Sequence, residues 1–272
     1  MAAVDVWAAH FGLTATPFTK TIPANKLFER AGHAEAVARI HYCINQAALG
    51  VIVGDTGAGK TVAVRAAVSG LDRTKYTLVY LSNPSGGCRG LYVAIATALG
   101  ATPRFHKAEA INQAAALLAA EEHERHRRVI FVIDEAHLLT PEQLEEIRLL
   151  SNAELDSASP FAAILVGQPT LAVRLRQGIF AALDQRISVR YTIAGMDLTE
   201  SITYLRLHLA HAGRTDPIIA DDAAARLHRY ANGLPRALNN AATAALMAAA
   251  ADNKAIVDDT CAKKAISELT RP

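Results

Sequence analysis

Apolar residues recur along this chain in two rhythms. Short apolar runs at Val51-Ile52-Val53, Thr77–Leu81, Val129–Ile133, Phe161–Val166 and Ser188–Ile193 are bounded by turn residues and read as strands. Between them, apolar positions return every three or four residues. Over His33–Ala48, for example, Ala36, Val37, Ile40, Ile44 and Ala47 form one buried helical face. The same spacing predicts helices up to about Ser69, at Leu91–Leu99, at about Glu109–His126, at Leu171–Arg176 and at Ile179–Ile187. Thr140-Pro141-Glu142-Gln143 marks one more helix start, with a capping Thr, Pro at the first helical position and Gln three residues on. Strands alternating with helices predict a three-layer α/β domain around a parallel sheet.

The rhythm changes after Gly195. Helices are predicted at about Leu198–Ala212, Asp221–Ala231, Pro235–Ala251 and Asp258–Leu269, which makes a small helical lid. The first 28 residues carry scattered anchors (Val6, Trp7, Phe11, Leu13, Phe18, Ile22, Leu27, Phe28) broken by Pro17 and Pro23, so an extended arm laid over a domain or a neighbouring subunit is expected. The division read from the sequence is an arm over 1–30, an α/β domain over 31–195 and a helical lid over 196–272.

The first strand runs into Gly54-Asp55-Thr56-Gly57-Ala58-Gly59-Lys60-Thr61, the phosphate-loop pattern in its strand–loop–helix setting. Its glycines allow successive N–H groups to turn inward around a polyphosphate, and the next helix points its positive end the same way. Lys60 is expected on the β- and γ-phosphates of ATP, and Thr61 on magnesium. The strand Val129–Ile133 ends in Asp134-Glu135. Asp134 is expected to hold the magnesium and Glu135 to polarise the attacking water. Gln168, after the strand Phe161–Val166, has two expected roles: sensing the γ-phosphate or capping the following helix.

Composition narrows the partners. Hydrophobic residues are 51% of the chain but aromatic ones only 6%, which favours alanine-rich helices. The net charge of +2 neither requires nor excludes nucleic acid, so any DNA contact must come from a local patch. Cys43, Cys88 and Cys261 lack metal-ligand spacing and suit a reducing cytosol. No leader of basic then apolar residues is visible, and the longest uncharged run, Ala237–Ala251, is too short to span a bilayer. A cytoplasmic protein without membrane contact is expected.

Taken together, Asp134-Glu135 and the helices that follow the sheet resemble the AAA+ ATPases. The chain is most similar to the ExeA/GspA-type ATPases and the transposition ATPases of the TniB, TnsC, MuB and IstB kind. The resemblance rests on Phe11-Gly12-Leu13, Pro17-Phe18, Phe28 with His33, the phosphate loop and Asp134–Leu138. It also includes Leu144–Asn152, Gly167-Gln168-Pro169, Gln185-Arg186-Ile187 with Arg190-Tyr191, and Gly233–Arg236. His137 and Thr170 depart from it, since ExeA-type sequences usually carry Gln and Glu there. The resemblance implies nucleotide-binding roles for Phe28 and His33. Arg186 is implied as the finger reaching the next subunit's γ-phosphate, with Arg190 in reserve, and Arg236 as the second sensor.

Two branches share this module. The first reading is a transposition regulator that assembles with ATP on double-stranded DNA as a hexamer or helical filament and recruits a transposase or integrase. The alternatives are an ExeA-type secretion or envelope-assembly ATPase, expected to carry a membrane span and a peptidoglycan-binding module that are not seen here, and a protein-binding switch without DNA. For the first reading, the basic loop Arg104-Phe105-His106-Lys107 is the expected DNA contact, with Arg73, Lys75 and Arg89 on neighbouring turns and Arg104 and Lys107 on the backbone. The other basic cluster, His123–Arg128, reads as a solvated helix end.

Overall fold

The computed structural model describes residues 6–19, 28, 30–152 and 159–271. In chain order the elements are α1 (Val6–His10), α2 (Ala31–Asn45), β1 (Leu49–Gly54), α3 (Lys60–Ser69), β2 (Tyr76–Leu81), α4 (Gly87–Ala98), α5 (Lys107–His123) and β3 (Arg128–Ile133). They continue with α6 (Pro141–Leu150), β4 (Phe161–Gly167), α7 (Pro169–Leu175), α8 (Ala181–Arg186), β5 (Ile187–Ile193), α9 (Leu198–His211), α10 (Asp221–Ala231), α11 (Pro235–Ala251) and α12 (Asp259–Leu269). Contacts divide the chain into two units. An α/β unit comprises Ala31–Asp55 and Lys60–Ile193, and a helical unit gathers the described residues up to Arg30, the segment Thr56–Gly59, and the chain from Ala194.

The sheet of the α/β unit is parallel, in the order β2-β3-β4-β1-β5. Every residue of β1 and β4 is buried, because both lie inside the sheet with helices over each face. The edge strands β2 and β5 are only partly buried. Register aligns Ile133 of β3 with Leu165 of β4, and Gly167 of β4 with Val53 of β1. The carboxyl ends of three adjacent strands therefore lead into Gly54, Asp134 and Gln168 on one side of the sheet. Close packing of α2 explains one glycine, since a Cβ at Gly50 would come within 2.6 Å of Cys43 Sγ.

Thr140 and Gln143 form the expected capping box at the start of α6. Thr140 Oγ1 accepts from Gln143 N at 3.3 Å, and Gln143 Oε1 accepts from Thr140 N at 2.9 Å. The buried Gln143 also donates from Nε2 to Pro84 O at 2.7 Å, which fastens α6 to the turn after β2.

In the helical unit, α11 buries Leu238 and Leu246 with five alanines, whose small side chains let α10 and α12 approach closely. Asp197 and Glu200 make a second capping box at α9. The N-terminal residues differ from the expected extended arm. Val6–His10 is helical, and Ala8, Phe11, Leu13 and Phe18 are buried in the core of the helical unit. Thr14 N donates to Ala212 O at 2.8 Å and Arg214 Nη1 to Phe11 O at 3.0 Å, so the segment is fixed by backbone bonds as well as apolar area. Ile22, Pro23 and Leu27 lie outside the described residues.

A second difference concerns α5, which ends at His123 rather than His126. His126 turns left-handed (φ 52°) and Arg127 N donates back to Glu121 O. Arg128 then enters β3 with its guanidinium on Ile44 O at 3.0 Å. Cys43 and Cys261 are buried, one in each unit, Cys88 is partly exposed, and all three are free thiols.

Candidate nucleotide site

The loop between β1 and α3 follows from its sequence. Gly57 and Gly59 take positive φ of 87° and 96°, a region that side chains with a Cβ rarely enter. Lys60 opens α3 and is buried, with Nζ donating to the carbonyls of Gly54 at 2.9 Å and Asp55 at 3.0 Å. A buried ammonium held by neutral carbonyls at a helix start is well suited to exchange them for a polyphosphate. Next along α3, Thr61 Oγ1 donates to Asp134 Oδ2 at 2.9 Å.

Asp134 is 7% exposed and fully engaged. Tyr80 Oη donates to the same Oδ2 at 2.9 Å, and Glu135 N donates to Oδ1 at 2.9 Å. Burial first, and then the bond to Asp134, push the Tyr80 hydroxyl up to about 12, so it stays a donor. The Thr61 hydroxyl and the Asp134 carboxylate are hard oxygen donors of the kind magnesium takes beside phosphate oxygens. Glu135 is left-handed (φ 51°, ψ 35°), a local cost of order 1 kcal/mol for a residue with a Cβ. Its side chain is 48% exposed, with Oε2 at 3.4 Å from His137 Nδ1. Gln168 occupies the N-cap position of α7, but its side chain makes no capping bond there.

The crest of the loop groups with the helical unit. Arg236 N donates to Gly57 O at 3.4 Å, and a Cβ at Gly57 would meet Arg236 Cβ at 2.7 Å. Arg30 Nη2 donates to Ala58 O at 3.0 Å. Phe28 packs edge-on against Tyr204 in the same unit, with ring centroids 5.8 Å apart. His33 lies in the first turn of α2. Arg186 ends α8 with Nη1 at 3.5 Å from Ser151 O, whereas Arg190, on β5, donates to Asp184 Oδ1 at 2.5 Å and Asp184 O at 2.8 Å.

Residues 44–175 match the family described as AAA domain. That stretch, a little under half of the chain, takes in the phosphate loop and Asp134-Glu135. The chain is 32% identical over 253 residues to General secretion pathway protein A of Aeromonas hydrophila, an alignment covering 90% of the chain but only 45% of that relative. Its fold is similar to Cdc6p from Pyrobaculum aerophilum (TM-score 0.71, 16% identity, 98% of this chain and 72% of that one). It also resembles the Aeropyrum pernix ORC2 protein in ADPNP-ADP complexes (TM-score 0.68, 17% identity, 93% and 71%). The RuvB Holliday junction branch migration motor of Thermotoga maritima is more distant (TM-score 0.56, 18% identity, 88% and 70%).

Within the α/β unit, Lys60, Thr61, Asp134 and Glu135 gather around one set of strand ends. The five basic residues read as DNA contacts do not gather. Arg73 and Lys75 precede the amino end of β2, while Arg89 lies in the first turn of α4, just past the carboxyl end of that strand. Arg89 donates to Phe105 O at 3.0 Å and Arg104 O at 3.3 Å, which brings the basic loop to that second end. Lys107 is paired with Glu146 at 2.5 Å. A cavity of about 320 Å³ lies at the amino ends of β2 and β3, lined by Lys75, Arg127 and Arg128 among others, on the sheet side opposite the phosphate loop.

Two residues now in contact with the site escaped sequence reading. Tyr80 reads simply as an aromatic strand residue. Its only signal is its place one residue before the carboxyl end of the strand beside Asp134. Arg30 stands just before α2 with no motif around it.

Proposed function

We propose that the chain hydrolyses ATP as a nucleotide switch, assembling with copies of itself on duplex DNA and, in the ATP state, recruiting a transposase or integrase. The observation that carries the ATPase reading is the meeting of Lys60, Thr61 and Asp134 beside Glu135. Lys60 exchanges its two carbonyl partners for the β- and γ-phosphates, and backbone N–H groups of Gly57–Gly59 line the same polyphosphate. Thr61 and Asp134 would hold magnesium, which would supply charge neutralisation at the phosphates. Glu135, with a half-exposed carboxylate, takes the proton of the attacking water. Gln168 senses the γ-phosphate, and its lack of a capping bond supports that role over the alternative. Arg236 takes the second-sensor role that the resemblance implies. Phe28 and His33 complete the nucleotide residues.

Arg186 is the finger for a neighbouring copy. The resemblance to AAA+ ATPases supports that choice, with Arg190, which bonds Asp184 in its own chain, in reserve. DNA enters this reading through Arg104, an exposed cation on a fixed loop, and the resemblance to transposition ATPases supports it. A second reading, a secretion or envelope-assembly ATPase, is favoured by the similarity to General secretion pathway protein A. The chain spans less than half of that relative, so the comparison covers this module alone.

Two variants and one gel shift test the proposal. Lys60→Ala should lose nucleotide binding, whereas Glu135→Gln should bind ATP and turn it over at least about 100-fold more slowly. Wild-type turnover in Glu135→Gln would remove the catalytic assignment. A labelled duplex should shift with Glu135→Gln and ATP but not with ADP. No shift with any nucleotide at low salt would remove the DNA reading and leave the secretion-type one.

A further inference from the structure

Phe105 is the most exposed aromatic residue among those described, at 79%, and it is held in place rather than loose. Arg89 donates to the successive carbonyls of Arg104 and Phe105, and its guanidinium stands 5.6 Å from the Phe105 ring centre. Gln113 fixes the other side of the loop, accepting from Arg104 N at 3.0 Å and donating to Thr102 O at 2.9 Å. The His106 ring meets Phe105 edge-on at 5.3 Å. A pinned backbone therefore presents one ring and one exposed arginine to solvent.

We infer that Phe105 is an apolar contact to nucleic-acid bases, with Arg104 beside it on the phosphate backbone. This rests on the DNA reading above and changes its content. Lys107, counted as a phosphate contact from sequence, is already neutralised by Glu146, so the loop carries fewer free cations than its composition suggests. An apolar protein surface closing over Phe105 would have to bury Arg104 and Arg89 as well, at a desolvation cost. Nucleic acid suits both groups, since it offers phosphate oxygens to Arg104 and base faces or an unstacked step to the ring. Every base has an apolar face, so the contact tolerates any sequence.

Salt dependence separates the two contributions, because counterion release counts phosphate contacts and is blind to an apolar one. Duplex affinity is measured by anisotropy across a salt series, with a slowly hydrolysed ATP analogue. Arg104→Ala should flatten the slope of log affinity against log salt by about one unit. Phe105→Ala should weaken binding roughly 5- to 150-fold at every salt concentration with no change in slope. Phe105→Trp should retain binding, and its indole emission, read against the Trp7 background, should be quenched by DNA. Wild-type affinity in Phe105→Ala would overturn the inference while leaving the DNA reading intact. A slope change equal to that of Arg104→Ala would overturn it too, by making the ring a mere prop for the cation. If Phe105→Ala instead alters self-association without DNA, the ring belongs to a contact between copies. Failure of the wild type to bind any duplex would remove the inference together with the reading it rests on.

Discussion

Asp134 accepts from Thr61, Tyr80 and the Glu135 backbone, so its carboxylate is already oriented for the magnesium proposed above. Tyr80 is the one of the three that lies outside the phosphate-loop and acidic-strand motifs. Removing its hydroxyl leaves the packing of the ring and leaves Oδ2 with Thr61 alone, so the carboxylate is held less firmly. Tyr80→Phe should therefore need roughly tenfold more magnesium for half-maximal turnover, the usual effect of losing a partner that orients a ligand. Nucleotide affinity in EDTA, read by fluorescence of a labelled ADP, should stay unchanged. A lower magnesium requirement would show that Tyr80 competes with the metal for Oδ2.

At the scale of elements, α9 holds His208 between two rings, with Phe18 stacked at 5.4 Å and Tyr204 at 4.2 Å. Burial first, then neighbouring His211, lowers its pKa from 6.5 to about 4. A histidine lowered in the folded state stays neutral there while the unfolded chain takes up a proton below 6.5. Its contribution to stability is thus fully present above pH 6.5 and is lost as pH falls toward 4, by up to about 3 kcal/mol. His208→Phe keeps the aromatic packing and cannot titrate, so its denaturant midpoint should fall less between pH 6.5 and 4.5 than that of the wild type. Parallel profiles would place the acid sensitivity elsewhere.

The strands of this chain were legible because buried parallel strands are apolar throughout, as Val129–Ile133 and Phe161–Val166 show. The helix start capped by Thr140 was equally readable. The contacts of Arg30, Tyr80 and Lys107 were not, because each depends on which distant elements the topology sets side by side. The N-terminal segment is a mixed case: its apolar anchors do bury, but two prolines suggested an extended path where Val6–His10 is helical.

For the whole molecule, the proposed catalysis by assembly predicts complementation. Arg186→Ala should bind ATP and fail to hydrolyse it, and mixing it with Glu135→Gln should restore part of the activity if the arginine acts across a boundary between copies. No recovery at any mixing ratio, with co-assembly verified by sedimentation, would return Arg186 to an ordinary role within its own chain.

The cysteines matter in a different way. Cys43 is buried beneath the sheet, its thiol raised to about 11 by desolvation, and Cys261 is buried in the helical bundle. Each compact unit thus contains one native thiol that a reagent reaches only after that unit opens. Timed alkylation followed by peptide mapping can clock the opening of the two units separately, with partly exposed Cys88 as an internal standard. ATP, ADP and DNA can then be ranked by which unit each one tightens, without adding a single label to the protein.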